Sequence, residues 1–334
     1  MRLEPRELIR RVRRIEIATR RAVEGTLSGQ YHSVFRGRGM AFDEVRAYAP
    51  GDEVRSIDWK VSARMGELFV KRFTEERELT VVLLCDLSGS SEFGSRRRSK
   101  AEVAAELAGL VSFSAVANGD RVGLVLFTDR VERFVPPRKG RKHALRLVSE
   151  ILKLEPAGRG TDLGAALEYV HRVLRRRAVV FLLSDFQQEG GAPSPTLPRF
   201  AGEGEHRGAP SPPVRGGLGR GGPEDLEPPF ARALRIVARR HDVVPVELVD
   251  ALEEALPPLG LALLEDPETG EAFHADLADP RVRAAWAGRA AARRARLHRL
   301  FAGLELEPVR VRADDADHVK PLLAFFAARA RRLG

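Results

Sequence analysis

Apolar residues along this chain are grouped in two alternating textures. Val81 to Cys85 is an unbroken apolar run that ends at Asp86. It is long enough for a strand and too short for a typical helix, which predicts a strand buried on both faces, as in a parallel sheet under helices. Helical spacing follows over residues 100–117, with Val103, Leu107, Leu110, Val111 and Phe113 inward, and Asn118-Gly119-Asp120 supplies the stop. Residues 122–127 predict the next strand, with 131–135 pairing with it as a short hairpin. Further strands are expected at 179–183, 243–249 and 305–311. Further helices are expected at 144–154, 163–174, near 230–240, 281–303 and 319–332. Strands alternating with helices predict an α/β fold: a mostly parallel sheet with helices on both faces.

Before this core the pattern changes. Residues 1–25 hold an amphipathic helix, with Leu8, Ile9, Val12, Ile15 and Val23 at helical spacing between basic residues. Residues 26–78, rich in glycine, aromatics and charge, predict a small β-rich collar packed on the main sheet. Within it, Pro50-Gly51 suits the two central positions of a type II turn, and residues 68–73 read as a strand. The remainder, 79–334, is the α/β domain, interrupted at 187–229. Of those 43 residues, 19 are glycine or proline, a composition that buries too little to offset its ordering entropy and predicts disorder. Leaving from the sheet's carboxyl edge, that insertion is either a passive spacer or a tether able to carry its acids, Glu203, Glu205, Glu224, Asp225 and Glu227, over the edge.

Composition narrows the class. No apolar stretch approaches the roughly 18–20 residues of a membrane span, and the first residues show no apolar signal core. The single cysteine, Cys85, excludes an internal disulfide and suits a reducing cytoplasm; inside an apolar strand it reads as a small core residue. The net charge of +9 comes almost wholly from arginine, concentrated in the first and the 281–299 helical segments. That favours acidic partners or nucleic acid, or simply solvated helix faces, since Glu4, Glu7, Glu16 and Glu24 interleave with the first group.

Oxygen donors then give the core its candidate chemistry. Asp86, Ser88 and Ser90 follow the central strand as D-x-S-x-S, at the carboxyl end where open α/β sheets bind ligands. Hard oxygens of this kind suit a small cation such as Mg²⁺ or Mn²⁺. A second cluster, Gly158-Arg159-Gly160-Thr161-Asp162, opens a helix, where Thr161 is placed as N-cap with Asp162 in the first turn. Asp185 follows the strand at 179–183.

This three-part set resembles the metal-ion-dependent adhesion site (MIDAS) of von Willebrand factor A-like domains. The resemblance implies that Ser88, Ser90 and Thr161 bind Mg²⁺ directly, that Asp86 and Asp185 act in or just behind the first shell, and that one coordination position stays open for a partner's carboxylate. A second likeness lies upstream. Arg46-x-Tyr48-x-Pro50-Gly51-Asp52-x-x-Arg55-x-Ile57-Asp58-Trp59 is similar to the signature of the bacterial "domain of unknown function 58" family, whose members carry an A-like domain and are commonly encoded beside MoxR-type AAA+ ATPases. In this stretch Arg55, Asp58 and Arg64 are expected to form an ion-pair network. Arg46, Tyr48, Asp52, Arg55, Asp58 and Trp59 are the candidates for partner binding.

The expected function is therefore a cytoplasmic Mg²⁺-dependent interaction module, an adaptor or co-chaperone for a MoxR-type ATPase or an acidic client, and not an enzyme. The alternatives are nucleic-acid binding through the arginine-rich helices and metal-dependent phosphoryl transfer. Against the last, position 88 is a serine where a second acid is usual, and neither a G-x-S-x-G elbow nor a P-loop occurs.

Overall fold

A computed structural model describes residues 5–22, 40–75, 78–92, 94, 98–187 and 227–333. The first element is α1 (Pro5–Ala22). Its Leu8 and Ile15 are buried, and Ile15 joins the core beneath one face of the main sheet, with Val12 packed beside it. Each such side chain removed from water contributes about 1.5–3 kcal/mol. Arg11 pairs with Glu7 and with Glu102, and Arg141 with Glu16, so part of this helix's charge is spent within the fold.

The collar comes next. Strands β1 (Met40–Ala47) and β2 (Phe69–Glu75) form their own antiparallel two-stranded sheet. Between them lies a helix the residue pattern did not predict, α2 (Trp59–Met65). Asp58 caps it by accepting the Lys60 and Val61 N–H groups, and Gly66, at φ +78°, ends it in the left-handed conformation that glycine takes without penalty. The Pro50-Gly51 turn forms as expected, with Gly51 at φ +108° and the Asp52 N–H donating to Ala49 O, 3.1 Å. The expected Arg55–Asp58–Arg64 network is replaced. Arg55 and Arg64 are exposed, Asp58 works as a cap, and Arg46 grips Asp52 through two bonds of 2.8 and 2.6 Å.

The core sheet has six strands. In chain order its elements begin with β3 (Thr80–Asp86), α3 (Lys100–Ala117), β4 (Arg121–Phe127), β5 (Val131–Arg138) and α4 (Arg141–Lys153). They continue with α5 (Leu163–Val173), β6 (Val179–Ser184), α6 (Ala231–Arg240), β7 (Asp242–Val249) and the single turn α7 (Ala251–Glu254). After a two-stranded hairpin, β8 (Leu261–Glu265) and β9 (Ala272–Asp276), come α8 (Pro280–Gly303), β10 (Val309–Arg312) and α9 (Lys320–Leu333). The strand order is β10-β7-β6-β3-β4-β5, parallel throughout except for the antiparallel edge strand β5. The predicted α/β class, a mostly parallel sheet with helices on both faces, is what forms.

Strand alternation explains the two layers. Val81, Leu83 and Cys85 face one core with α1, α3, α4 and α9, while Val82 and Leu84 face a second with α5, α6 and α8. All five are fully buried, which is why β3 reads as continuous apolar sequence. Ser99 and Glu102 form a capping box at the start of α3. The last strand is shorter than its apolar pattern suggested. The Leu304, Glu305 and Leu306 N–H groups fold back onto the end of α8, with Glu305 at φ +55°, so pairing starts only at Val309.

Of the insertion at 187–229, residues 188–226 lie outside the described residues. Its two anchors are clear. Phe186 and Phe230 are both buried and their rings stand 5.9 Å apart. No helix among the described residues is long and apolar enough to cross a membrane.

Candidate metal centre

The carboxyl ends of β3 and β6 meet at the centre of the sheet and carry Asp86 and Asp185. Both acids are buried, as are Ser88, Ser90 and Thr161. Asp86 has both oxygens engaged: Oδ1 accepts the Ser88 N–H at 2.9 Å and Oδ2 accepts the Ser184 hydroxyl at 2.6 Å. The Ser88 and Ser90 hydroxyls stand 3.0 Å apart. Ser91 braces the turn by donating its hydroxyl to Ser88 O at 2.7 Å. Ser184, which had no part in the predicted set, also accepts the Phe186 N–H at 2.9 Å. That bond holds Phe186 at φ +56°, an uncommon backbone conformation for a bulky residue, at the rim of the site.

The loop bearing Thr161 is latched from two sides. Glu132 Oε1 accepts the N–H groups of Ala157 and Gly158 at 3.0 and 2.9 Å, and Gly89 N–H donates to Arg159 O at 2.7 Å, tying this loop to the serine turn. Gly158 leaves room for its neighbours here, because a Cβ would push aside the side chains of Asp129 and Thr128. The capping role expected for Thr161 belongs to Asp162 instead, which accepts the Ala165 N–H at 2.9 Å. Relieved of that duty, the Thr161 hydroxyl turns to the cluster and donates to Glu268 Oε1 at 2.8 Å.

Two ionisable residues complete the site without any signal in the motif. Lys100, the first residue of α3, is fully buried and bridges Asp185 Oδ2 at 2.5 Å and Glu253 Oε1 at 2.6 Å. Burial opposes its charge, but these two carboxylates outweigh the penalty and keep its pKa above the usual lysine value. The same ammonium holds Asp185 ionised, below the usual carboxylate range despite its burial. Glu268 arrives from the β8–β9 turn. Burial, then the negative charges of Asp185 and Asp86, push its pKa to about 8; burial and Asp185 push that of Asp86 to about 6. Among the described residues no three His, Cys, Asp or Glu side chains gather as a chelating cluster.

The donor chemistry nonetheless fits Mg²⁺. Two buried hydroxyls that stand together beside Asp86 and Asp185, a third directed at the Glu268 carboxylate, and acids whose negative charges raise the pKa values of Asp86 and Glu268 form a set of hard oxygen donors. Cys85, one residue before Asp86, is fully buried and its thiol pKa is raised by that burial, so it is a core residue. A cleft of about 1180 Å³ between α1 and α4, lined by Leu8, Val12, Arg146 and Lys153 among others, shares no residue with the cluster.

Residues 44–199 and 223–296 match the family described as "Protein of unknown function DUF58". The chain belongs to this family. The match starts within β1 and takes in the Arg46–Trp59 signature, the D-x-S-x-S turn and the Thr161 loop of the DUF58 region. An uncharacterized protein of Mycobacterium tuberculosis (strain H37Rv) is 29% identical over 322 residues, 96% of this chain and 89% of that one. An uncharacterized Bacillus subtilis protein is 30% identical over 99 residues, 30% of this chain and 23% of that one. Among solved structures, a conserved hypothetical protein, BatB, from Bacteroides thetaiotaomicron covers 76% of this chain and 99% of its own at 13% identity and a TM-score of 0.42. The pilus adhesin SpaC from Lactobacillus rhamnosus GG covers 88% of this chain and 35% of its own at 14% identity and a TM-score of 0.38.

The partner-binding candidates stand apart on the collar. Arg46 and Asp52 hold each other and Asp58 caps α2. Tyr48 is half-buried, Arg55 is exposed, and Trp59, the first residue of α2, is 63% exposed. Of the insertion's acids only Glu227 falls among the described residues, where it pairs with Arg235.

Proposed function

We propose that this DUF58 protein is a Mg²⁺-dependent interaction module, an adaptor or co-chaperone that docks a partner's carboxylate at the edge formed by β3 and β6. The observation that carries this reading is the direction of three hydroxyls. Ser88 and Ser90 face each other in the buried serine turn, and Thr161, with its helix capped by Asp162, presents its hydroxyl to a carboxylate. Ser88, Ser90 and Thr161 would hold the metal, with Asp86 and Asp185 behind them. Bound there, Mg²⁺ would supply an electrophilic centre with room for one more oxygen, since few anionic ligands reach it directly.

The protein's own residues prepare that site. Ser184 and the Ser88 N–H fix Asp86, Lys100 holds Asp185 in place, and the Gly89–Arg159 bond sets the two loops in register. Both oxygens of Asp86 are already engaged, which suits an anchoring carboxylate better than a nucleophile, so we read the site as binding rather than catalytic.

The proposed partner is a MoxR-type AAA+ ATPase in the cytoplasm, where the lone buried Cys85 stays reduced. The collar offers a second contact through Trp59 and its exposed apolar neighbours Val54 and Met65. The test is capture of a purified MoxR-type ATPase by wild type and by Asp86→Ala, each with Mg²⁺ and with chelator. Capture by the wild type in Mg²⁺ alone supports the proposal. Equal capture in all four conditions overturns it.

A further inference from the structure

The β8–β9 hairpin was absent from the sequence expectations and has no share in the sheet's core. It is an excursion between β7 and α8, with a small apolar cluster of its own formed by Leu256, Ala262, Leu264, Leu277 and Trp286. Its tip is tightly built. Asp266 Oδ1 accepts the Glu268 N–H at 2.8 Å, Asp266 O accepts the Gly270 N–H at 2.7 Å, and Gly270 takes φ +75°. An isolated two-stranded hairpin is marginal in water, and this one is steadied at both ends.

At the tip, the backbone of Pro267 lies directly on Gly89, in the middle of the serine turn. A Cβ on Gly89 would overlap Pro267 O, so only glycine permits the approach. The next residue, Glu268, extends its carboxylate to the Thr161 hydroxyl. At the base, Trp286 Nε1 donates to Glu253 O at 3.1 Å, and the side chain of Glu253 holds Lys100, which holds Asp185. The hairpin is thus joined to the site twice, through its tip and through this relay.

We propose that Glu268 is a built-in ligand of the metal site, supplying in cis the carboxylate that a partner would otherwise bring. This rests on the metal reading above. A glutamate held against Thr161 stands where an incoming Glu or Asp would approach, and its tether to the chain gives it a high effective concentration. The consequence is a self-capped protein. A partner's carboxylate gains access only when the hairpin tip lifts from Gly89, and contacts elsewhere on the partner provide a means of favouring the lifted form.

The test uses the full chain with Mn²⁺ alone as probe, reading affinity by electron paramagnetic resonance and metal-bound water by proton relaxation. The proteins are wild type, Glu268→Gln, Glu268→Ala and Ser88→Ala, with circular dichroism to confirm folding. Glu268 is half-buried in a surface turn, so the pair of variants guards against a local folding effect of either. Mn²⁺ affinity about tenfold or more lower in both Glu268 variants, together with additional metal-bound water, supports the inference; even outer partners of a metal ligand contribute roughly 10–100-fold. Unchanged affinity and water in both variants, with binding lost in Ser88→Ala, overturns the role of Glu268 and leaves the metal site standing. No Mn²⁺ binding by any of the four overturns the metal reading itself.

Discussion

Lys100 Nζ lies 2.5 Å from Asp185 Oδ2, and both groups are shut away from water. With Glu253 as the second partner, one cation sits among two acids in the interior. Removing one partner of a buried ion pair leaves an uncompensated charge and costs about 3–5 kcal/mol. Lys100→Met is therefore expected to lower the free energy of unfolding, read from urea denaturation, by about that amount. Lys100→Met/Glu253→Gln should recover part of the loss, because one fewer buried charge is left alone. A single variant within 1 kcal/mol of wild type would show the triad to be without structural weight.

The second expectation follows from Phe186 and Phe230, whose rings touch across the base of the insertion. Chain ends already held together by core residues lose little when the segment between them is removed. Replacing residues 188–226 by a short glycine–serine linker should change stability by only ~1 kcal/mol, the scale of the loop-closure term. A loss of several kcal/mol in unfolding free energy from denaturant titration would mean that the insertion carries structure the core depends on.

A third concerns His241. Its Nδ1 accepts the Ala178 N–H at 3.2 Å within the buried end of β6 and β7. Burial first, then the charge of Arg240, lowers its pKa to about 4. An unfolded chain takes up that proton near pH 6.5. The neutral ring's contribution is thus complete above pH 6.5 and declines as pH falls from there toward 4, by roughly 3 kcal/mol in all. Urea midpoints at pH 7 and pH 5 for wild type and His241→Gln check this. The wild type should lose more on acidification, and equal losses would exclude His241 as the cause.

Local periodicity made most of the sheet and its helices legible. The apolar run of β3 and the helical spacing of α3 each report a single buried environment that nearest neighbours in sequence share. The collar helix α2 escaped because Trp59–Met65 is short and half apolar, and its signal lies in the cap Asp58 and the stop Gly66. Thr161 is legible as a donor but not in its local role, since threonine and aspartate both suit a cap and the helix starts one residue later, leaving the cap to Asp162. Glu268 and Lys100 could not be read from any motif. The hairpin itself left a trace, alternating residues on both sides of Asp266-Pro267-Glu268-Thr269-Gly270, but only tertiary packing brings position 268 to position 161. Lys100 likewise looks like any first-turn lysine until Asp185 and Glu253 close over it.

The central claim is that the three hydroxyls gather around a cation, and isothermal titration with Mg²⁺ tests it most directly. Wild type is compared with a Ser88→Ala/Ser90→Ala double variant, whose fold is checked by circular dichroism and thermal midpoint. The account predicts Mg²⁺ binding to the wild type and, in a folded double variant, affinity reduced on the order of a hundredfold as two oxygen ligands are lost. Equal Mg²⁺ affinity in the two proteins would contradict it.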